Sequence, residues 1–268
     1  MTDQRELAAR FLAAHVAERP LLLPNPWDAG SARILASLGF DALATTSSGH
    51  AATLGRLDGE VTRAEAIQHA AAIAAAVALP VSADLENGFA DEPADVAATI
   101  EAALGAGLAG CSIEDWSGTE IYPLDFAAER VAAAAVAAHA GPVHLVLTAR
   151  AENHVHDRDD LDDTIARLRA FEAAGADVLY PTGLTALEDI RRVVDAVGAP
   201  VNVLVRPGAP SVAELAQAGV ARISIGGAFA FASVGALVEA ANEFREQGTY
   251  SFLAQASAGS AAVRAAFS

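Results

Sequence analysis

The stretch VSADLENGF at positions 81–89 sets Asp84 and Glu86 two residues apart in an otherwise apolar and small run, then turns through Asn87 and Gly88. Side chains two apart on a strand share a face, so both carboxylates look into one space. Two unpaired acids there would repel, so a positive group or a deep opening to water must stand opposite them. Further along, Glu114 follows GCSI and Arg150 ends HLVLTAR. Asp84, Glu86 and Glu114 offer hard oxygen ligands with no cysteine beside them, a set that suits Mg²⁺, with Mn²⁺ as the substitute, better than zinc. The competing reading of each acid alone is a helix cap or an arginine partner. Arg150 can grip a carboxylate or a developing enolate with both arms of its guanidinium, or pair with Glu152 or Glu114.

Other polar residues gather at the ends of apolar runs: Asn25 and Asp28, Ser47 and Ser48, Asp115, Asn202 and Arg206. The segment TTSSGHAATLG (45–55) has small side chains, so its backbone N–H groups and hydroxyls are open to an anion. His154 and His156 lie just past Arg150 and read either as acid–base groups or as a solvated loop. Gly226 and Gly227 fit a phosphate cradle or a tight turn equally well. Cys111 sits inside a strand-like run, where packing is its expected role.

The elements that must position these residues repeat one unit: a short apolar run ending in polar residues, an alanine-rich amphipathic stretch, then a Gly or Pro stop. About eight units follow one another. Strands are predicted near 21–25, 41–47, 80–86, 110–116, 144–150, 177–183, 200–206 and 222–227. Thr62 and Glu65 have capping-box spacing before one helix, and Pro93 opens another that Gly105 and Gly107 close. Eight βα units in roughly 250 residues are the sequence form of an α/β (β/α)8 TIM barrel over residues 1–247, with 248–268 as a helical extension. No G-x-G-x-x-G follows the first strand, which leaves an open dinucleotide-binding sheet little support. In such a barrel the strand ends bring the acids and Arg150 to one mouth.

Composition narrows the class. A chain of 268 residues with 53% hydrophobic and 19% charged residues has material for a large core. Its net charge of −17, from 34 acidic against 17 basic side chains, argues against nucleic acid. One cysteine excludes an internal disulfide, and the alanine-rich apolar runs are too weak to span a membrane. The N-terminal stretch mixes acids and arginines, unlike a secretory signal, so a cytoplasmic location is expected.

With these residues in hand, the chain resembles the isocitrate lyase/phosphoenolpyruvate mutase superfamily from about residue 20 to 245. The resemblance is carried, in order, by NPWDAGSARILASLGFDALATTSSG, ATLGRLD ending at Asp58, ADLENGF, SIEDW, TARAE and VNVLVRPG. It implies that Asp84 is the direct Mg²⁺ ligand and that Asp58, Glu86 and Glu114 hold the ion's waters. It further implies that Thr46, Ser47 and Ser48 bind the carboxylate of a 2-oxo acid, while Arg150 stabilises the enolate oxygen or the carboxylate. The catalytic set expected is Arg150, Glu114 and Ser47; Asp84 and Asn202 join the substrate contacts. The last helix is expected to exchange between subunits of a homo-oligomer, a dimer or tetramer.

Two departures shape the functional expectation. The lyases of this superfamily carry K-K/R-C-G-H after the fourth strand, where this chain reads WSGTEIYPLDFAAERV with neither cysteine nor histidine. The family's D-x-D-T-G-[FY]-G appears as DLENGFA. The expectation is a Mg²⁺-dependent enzyme cleaving a C–C bond of a 2-oxo acid, or of a hydroxy di- or tricarboxylate yielding one, through a metal-stabilised enolate. The alternatives are a phosphonopyruvate-type P–C mutase or hydrolase, and a non-catalytic 2-oxo acid binding protein.

Overall fold

Short parallel strands alternate with helices through residues 3–268, the part of the chain that the computed structural model describes. The strands are β1 (Leu21–Leu23), β2 (Leu43–Ala44), β3 (Val81–Asp84), β4 (Gly110–Glu114), β5 (Val146–Ala151), β6 (Val178–Pro181), β7 (Asn202–Leu204) and β8 (Arg222–Ser224). Each falls on a stretch predicted from sequence, and all but β5, which runs one residue past 150, lie wholly inside it. The predictions run long because the polar residues after each strand belong to the connecting loops.

The strands close into a ring. Parallel pairing runs β2–β3–β4–β5–β6 and β1–β8–β7. The Leu179 N–H bonds to the Pro200 carbonyl at 2.9 Å, which joins β6 to β7. The Ala44 N–H bonds to the Pro24 carbonyl at 3.1 Å, which joins β1 to β2. Closure buries both faces of the central strands, and that explains why strands such as β5 read as nearly continuous apolar runs, while Leu22 on β1 stays exposed.

The helices are α1 (Gln4–Ala13), α2 (Ala29–Ser37), α3 (Ser47–Thr53), α4 (Arg63–Ala76), α5 (Pro93–Gly105), α6 (Leu124–His139), α7 (Leu161–Ala173), α8 (Leu187–Ala196), α9 (Val212–Gln217), α10 (Ala228–Asn242) and α11 (Leu253–Phe267). Thr62 and Glu65 form the predicted capping box of α4, and Pro93 opens α5. Helix α1 seals the floor of the barrel. Its Phe11 is fully buried beside Gly110, where an added Cβ would stand 2.7 Å from the Phe11 ring.

The C-terminal part packs differently. Helix α10 buries only Ala230, although it completes the eighth βα unit. The chain turns at Gly248 (φ 65°), and α11 lies along α2, where Arg33 Nη2 donates to the Phe267 carbonyl at 3.2 Å. Among the described residues no helix is long and apolar enough to cross a membrane.

Candidate active site

Arg150 near the end of β5 is the centre of the mouth. Its Nη1 donates to Asp84 Oδ1 at 2.9 Å, its Nη2 stands 3.1 Å from Glu114 Oε2, and its Nε donates to Glu152 Oε1 at 2.8 Å. The register explains the meeting: Ser112 pairs with Asp84 and Glu114 pairs with Arg150, so β3, β4 and β5 end side by side. Burial by itself would lower the Arg150 pKa, but Glu152, Glu114 and Asp84 more than reverse this and keep the guanidinium charged. Its plane also lies 5.3 Å from the Tyr180 ring centroid.

The turn after β2 reaches the same acid. The Ser47 backbone N–H donates to Asp84 Oδ2 at 3.2 Å, and Thr45 Oγ1 accepts the Asp84 N–H at 2.9 Å. Thr46 and Ser48 hydroxyls lie 3.2 Å apart. These residues, with Asp58, Asp84, Arg150, Tyr180 and Gly227, line a cavity of about 200 Å³ inside the mouth. The N–H of Ser47, expected to meet a substrate carboxylate, is here committed to Asp84.

Glu86 stands beyond Asp84 in a left-handed backbone conformation (φ 48°), uncommon for a residue with a side chain. Burial, with Asp84 and Asp58 nearby, pushes its carboxyl up to about 7. Asp58 is raised by burial, and Glu114 is raised well above the ordinary range, again by burial first. Arg222 and Arg206 also line the walls, but among the described residues only Arg150 pairs with these acids, and the mouth holds fewer cations than carboxylates. Their all-oxygen donor set fits a hard divalent cation. The acids are not drawn into a tight cage, however. Among the described residues they bring no three ligand atoms within 4.8 Å of one another, so most of them would reach such an ion through water.

Several supporting residues escaped the sequence reading. Arg130, buried on α6, donates to the backbone carbonyls of Asn87, Ala90 (2.7 Å), Asp91 (2.9 Å) and Glu114 (3.2 Å), fixing the turn that carries Glu86. Arg167, buried on α7, donates to Asp115 Oδ2 at 3.0 Å, while Asp115 Oδ1 accepts the Glu152 N–H at 2.9 Å. Asp115 therefore buttresses Glu152 behind Arg150. The signal was available: Arg130 and Arg167 fall on the apolar stripes of their helices, where a charge is out of place without buried partners.

Other expectations need correction. Asn202 does not line the mouth. It is fully buried at the start of β7, where Nδ2 donates to Ser224 Oγ at 3.0 Å and Oδ1 accepts from Arg222 Nε at 2.9 Å. The strand runs two residues beyond Asn202, which leaves it a layer below the rim. His154 is tied to Asp159 and Thr164, at 3.1 and 3.0 Å, rather than facing the mouth. His156 does reach it, stacked 3.5 Å from Trp116, so the loops after β4 and β5 meet above Glu114. Cys111 is buried in β4, and burial raises its thiol pKa strongly, as the packing role requires.

The family model described as phosphoenolpyruvate phosphomutase matches residues 11–245. A crystal structure described as a "putative lyase/mutase" from Burkholderia cenocepacia J2315 superposes with a TM-score of 0.94 at 51% identity, covering 97% of this chain and 96% of that one. A 2-methylisocitrate lyase of Halalkalibacterium halodurans is 30% identical over 74% of this chain and 67% of its own length. An oxaloacetate decarboxylase of Bradyrhizobium sp. is 31% identical over 72% and 68% respectively.

Proposed function

The chain belongs to the phosphoenolpyruvate phosphomutase family of the isocitrate lyase/phosphoenolpyruvate mutase superfamily, and from that membership we propose a Mg²⁺-dependent enzyme that cleaves a C–C bond of a 2-oxo acid, or of a hydroxy di- or tricarboxylate that yields one. The observation that carries this reading is the convergence of Asp84, Glu114 and Glu152 on Arg150 beside the Ser47 N–H.

Asp84 would hold the cation directly, with Asp58, Glu86 and Glu114 orienting its water shell. Bound there, a divalent cation supplies fixed positive charge against the oxygens of the substrate. Arg150 does the corresponding work from the protein. When the C–C bond of a 2-oxo acid breaks, its electron pair passes to the carbonyl oxygen. When a hydroxy acid is cleaved, the hydroxyl loses its proton to become the new carbonyl and the pair passes to the carboxylate of the departing fragment. In either case a guanidinium already in place meets oxygen-borne charge without reorganisation. The Ser47 N–H and the hydroxyls of Thr46 and Ser48 would orient the substrate carboxylate. Trp116 and His156 close over the acid side of the mouth and limit the size of the group that leaves.

Purified protein assayed with Mg²⁺ against oxaloacetate, 2-methylisocitrate and 2,3-dimethylmalate should turn over at least one and stop on addition of EDTA. No turnover on any of them, with EDTA also without effect, would overturn the reading.

A second reading is P–C chemistry on a phosphonopyruvate-type acid. One observation favours it: the loop from Trp116 to Ile121, closed by an antiparallel bridge between those two residues, carries no thiol or imidazole for proton transfer. Phosphorus NMR of a phosphonopyruvate incubation separates the two, since only P–C chemistry moves the phosphorus resonance.

A further inference from the structure

At the opposite end of the barrel, three side chains from the connections into β5 and β6 converge. His139 ends α6, His144 precedes β5, and Asp177 precedes β6. His139 Nε2 stands 3.0 Å from Asp177 Oδ2, and His144 Nε2 stands 2.8 Å from Asp177 Oδ1. The two imidazoles stack with centroids 4.0 Å apart and planes 7° from parallel, so both present the same nitrogen to one carboxylate. The Leu147 N–H, at 2.8 Å from Asp177 Oδ2, fixes that carboxylate in turn.

We propose that His139, His144 and Asp177 form a binding site for a transition-metal dication of the Zn²⁺ class, separate from the mouth. The two nitrogens and a carboxylate oxygen all lie within 4.8 Å of one another. Their nitrogen–oxygen separations of 2.8 and 3.0 Å are close to the roughly 3.3 Å edge of a tetrahedron built from zinc bonds of about 2.0–2.1 Å. Two neutral imidazoles with one carboxylate favour zinc, cobalt or nickel over magnesium, which prefers oxygen alone.

Without metal, each Nε2 carries its proton and donates to Asp177. Moving that proton to Nδ1 frees two nitrogen lone pairs beside the carboxylate with no change in net protonation, and a modest tilt of the two near-parallel rings brings them onto one ion. Half-exposed His144 leaves an entry path and a fourth position for water. The ion would add a staple between the α6–β5 connection and the start of β6, beside the Asp177 hydrogen bonds already there.

The test uses chelator-stripped full-length protein, with Mg²⁺ in excess to occupy the mouth, titrated with Zn²⁺ by calorimetry and with Co²⁺ by visible absorption. Wild type should take up one Zn²⁺ and show cobalt d–d bands, and Asp84→Ala should do the same. His144→Ala should weaken Zn²⁺ at least about a hundredfold, more than loss of a supporting contact around a metal costs, and lose the cobalt bands. Zn²⁺ should raise the melting temperature of wild type but not of His144→Ala. His144→Cys, which offers a thiolate at the same position, should recover binding. Equal Zn²⁺ affinity in wild type and His144→Ala, or no uptake by wild type at micromolar metal, would overturn the proposal.

Discussion

Asp84 Oδ1 lies 2.9 Å from Arg150 Nη1, so the acid proposed as the direct metal ligand is also held by the protein's own cation. Arg150 and a divalent ion therefore answer the same excess of negative charge. Replacing Arg150 by Met leaves Asp84, Glu114 and Glu152 facing one another without compensation. Breaking a buried ion pair from one side costs about 3–5 kcal/mol, and that is the loss expected here. Because the deficit is one of charge, Mg²⁺ should restore part of the melting temperature of Arg150→Met and do less for wild type. Arg150→Lys should fall between them, since it keeps charge but not the fork. Thermal melts with Mg²⁺ and with EDTA decide it; an Arg150→Met melt equal to wild type contradicts the account.

Asp84→Ala tests the same mouth from the acid side. The residue ends β3 at the rim, and on its removal Arg150 keeps Glu114 and Glu152, so no buried charge is left unpaired. The barrel should therefore fold with a stability change of about 1 kcal/mol, the ordinary size for a single substitution. Mg²⁺ binding by calorimetry should be lost. A collapse of stability with metal binding retained would identify Asp84 as a structural carboxylate.

The sequence made the strand ends legible because closure imposes a period: each apolar run stops where its residues leave the ring. Asp84, Glu114 and Arg150 could thus be placed at one rim from spacing alone, and they are found together there. Asn202 was misplaced because spacing marks a strand but not its last residue, and a difference of two residues moves a side chain down one layer. Spacing shows Glu152 only as a partner of Arg150, because its buttressing by Asp115 and Arg167 depends on contacts 37 and 52 positions apart. The meeting of His139 and His144 with Asp177 is illegible for the same reason, since Asp177 lies 38 and 33 positions away and the αβ loops that carry it and His144 show no periodicity.

Acid sensitivity should trace in part to His15. It is buried beside Arg222, whose Nη1 lies 3.3 Å from its Nε2, and its Nδ1 donates to the Phe11 carbonyl at 2.8 Å. Burial first, then Arg222, lowers its pKa to about 3 from 6.5. The unfolded chain then binds a proton that the folded one refuses, so stability is full above pH 6.5 and falls as pH drops towards 3, by up to about 1.4 kcal/mol per unit. His69, lowered to about 4 by burial, acts in the same direction. Glu86, raised to about 7, opposes both between pH 4.5 and 7. The informative quantity is therefore a difference: urea unfolding of wild type and His15→Gln at pH 7, 6 and 5 should converge as the pH falls. Parallel curves would show that His15 titrates normally in the folded protein.

The last prediction concerns α10. A helix that completes a βα unit normally lays its apolar face on the barrel, yet here Phe231, Leu237 and Val238 are 51%, 67% and 52% exposed, and Phe244 just beyond is 60% exposed. Apolar surface of this extent on one helix is expected to be covered, and the predicted cover is a second copy of this chain. Phe231 also packs close to Gly227 at the mouth, where an added Cβ would stand 2.6 Å from its ring, so pairing through α10 would steady the turn that lines the cavity. Light scattering should find a dimer or tetramer at micromolar concentration. Leu237→Asp should shift it towards monomer and lower both melting temperature and turnover. A wild-type monomer with unimpaired thermal stability would mean that this face is left to solvent.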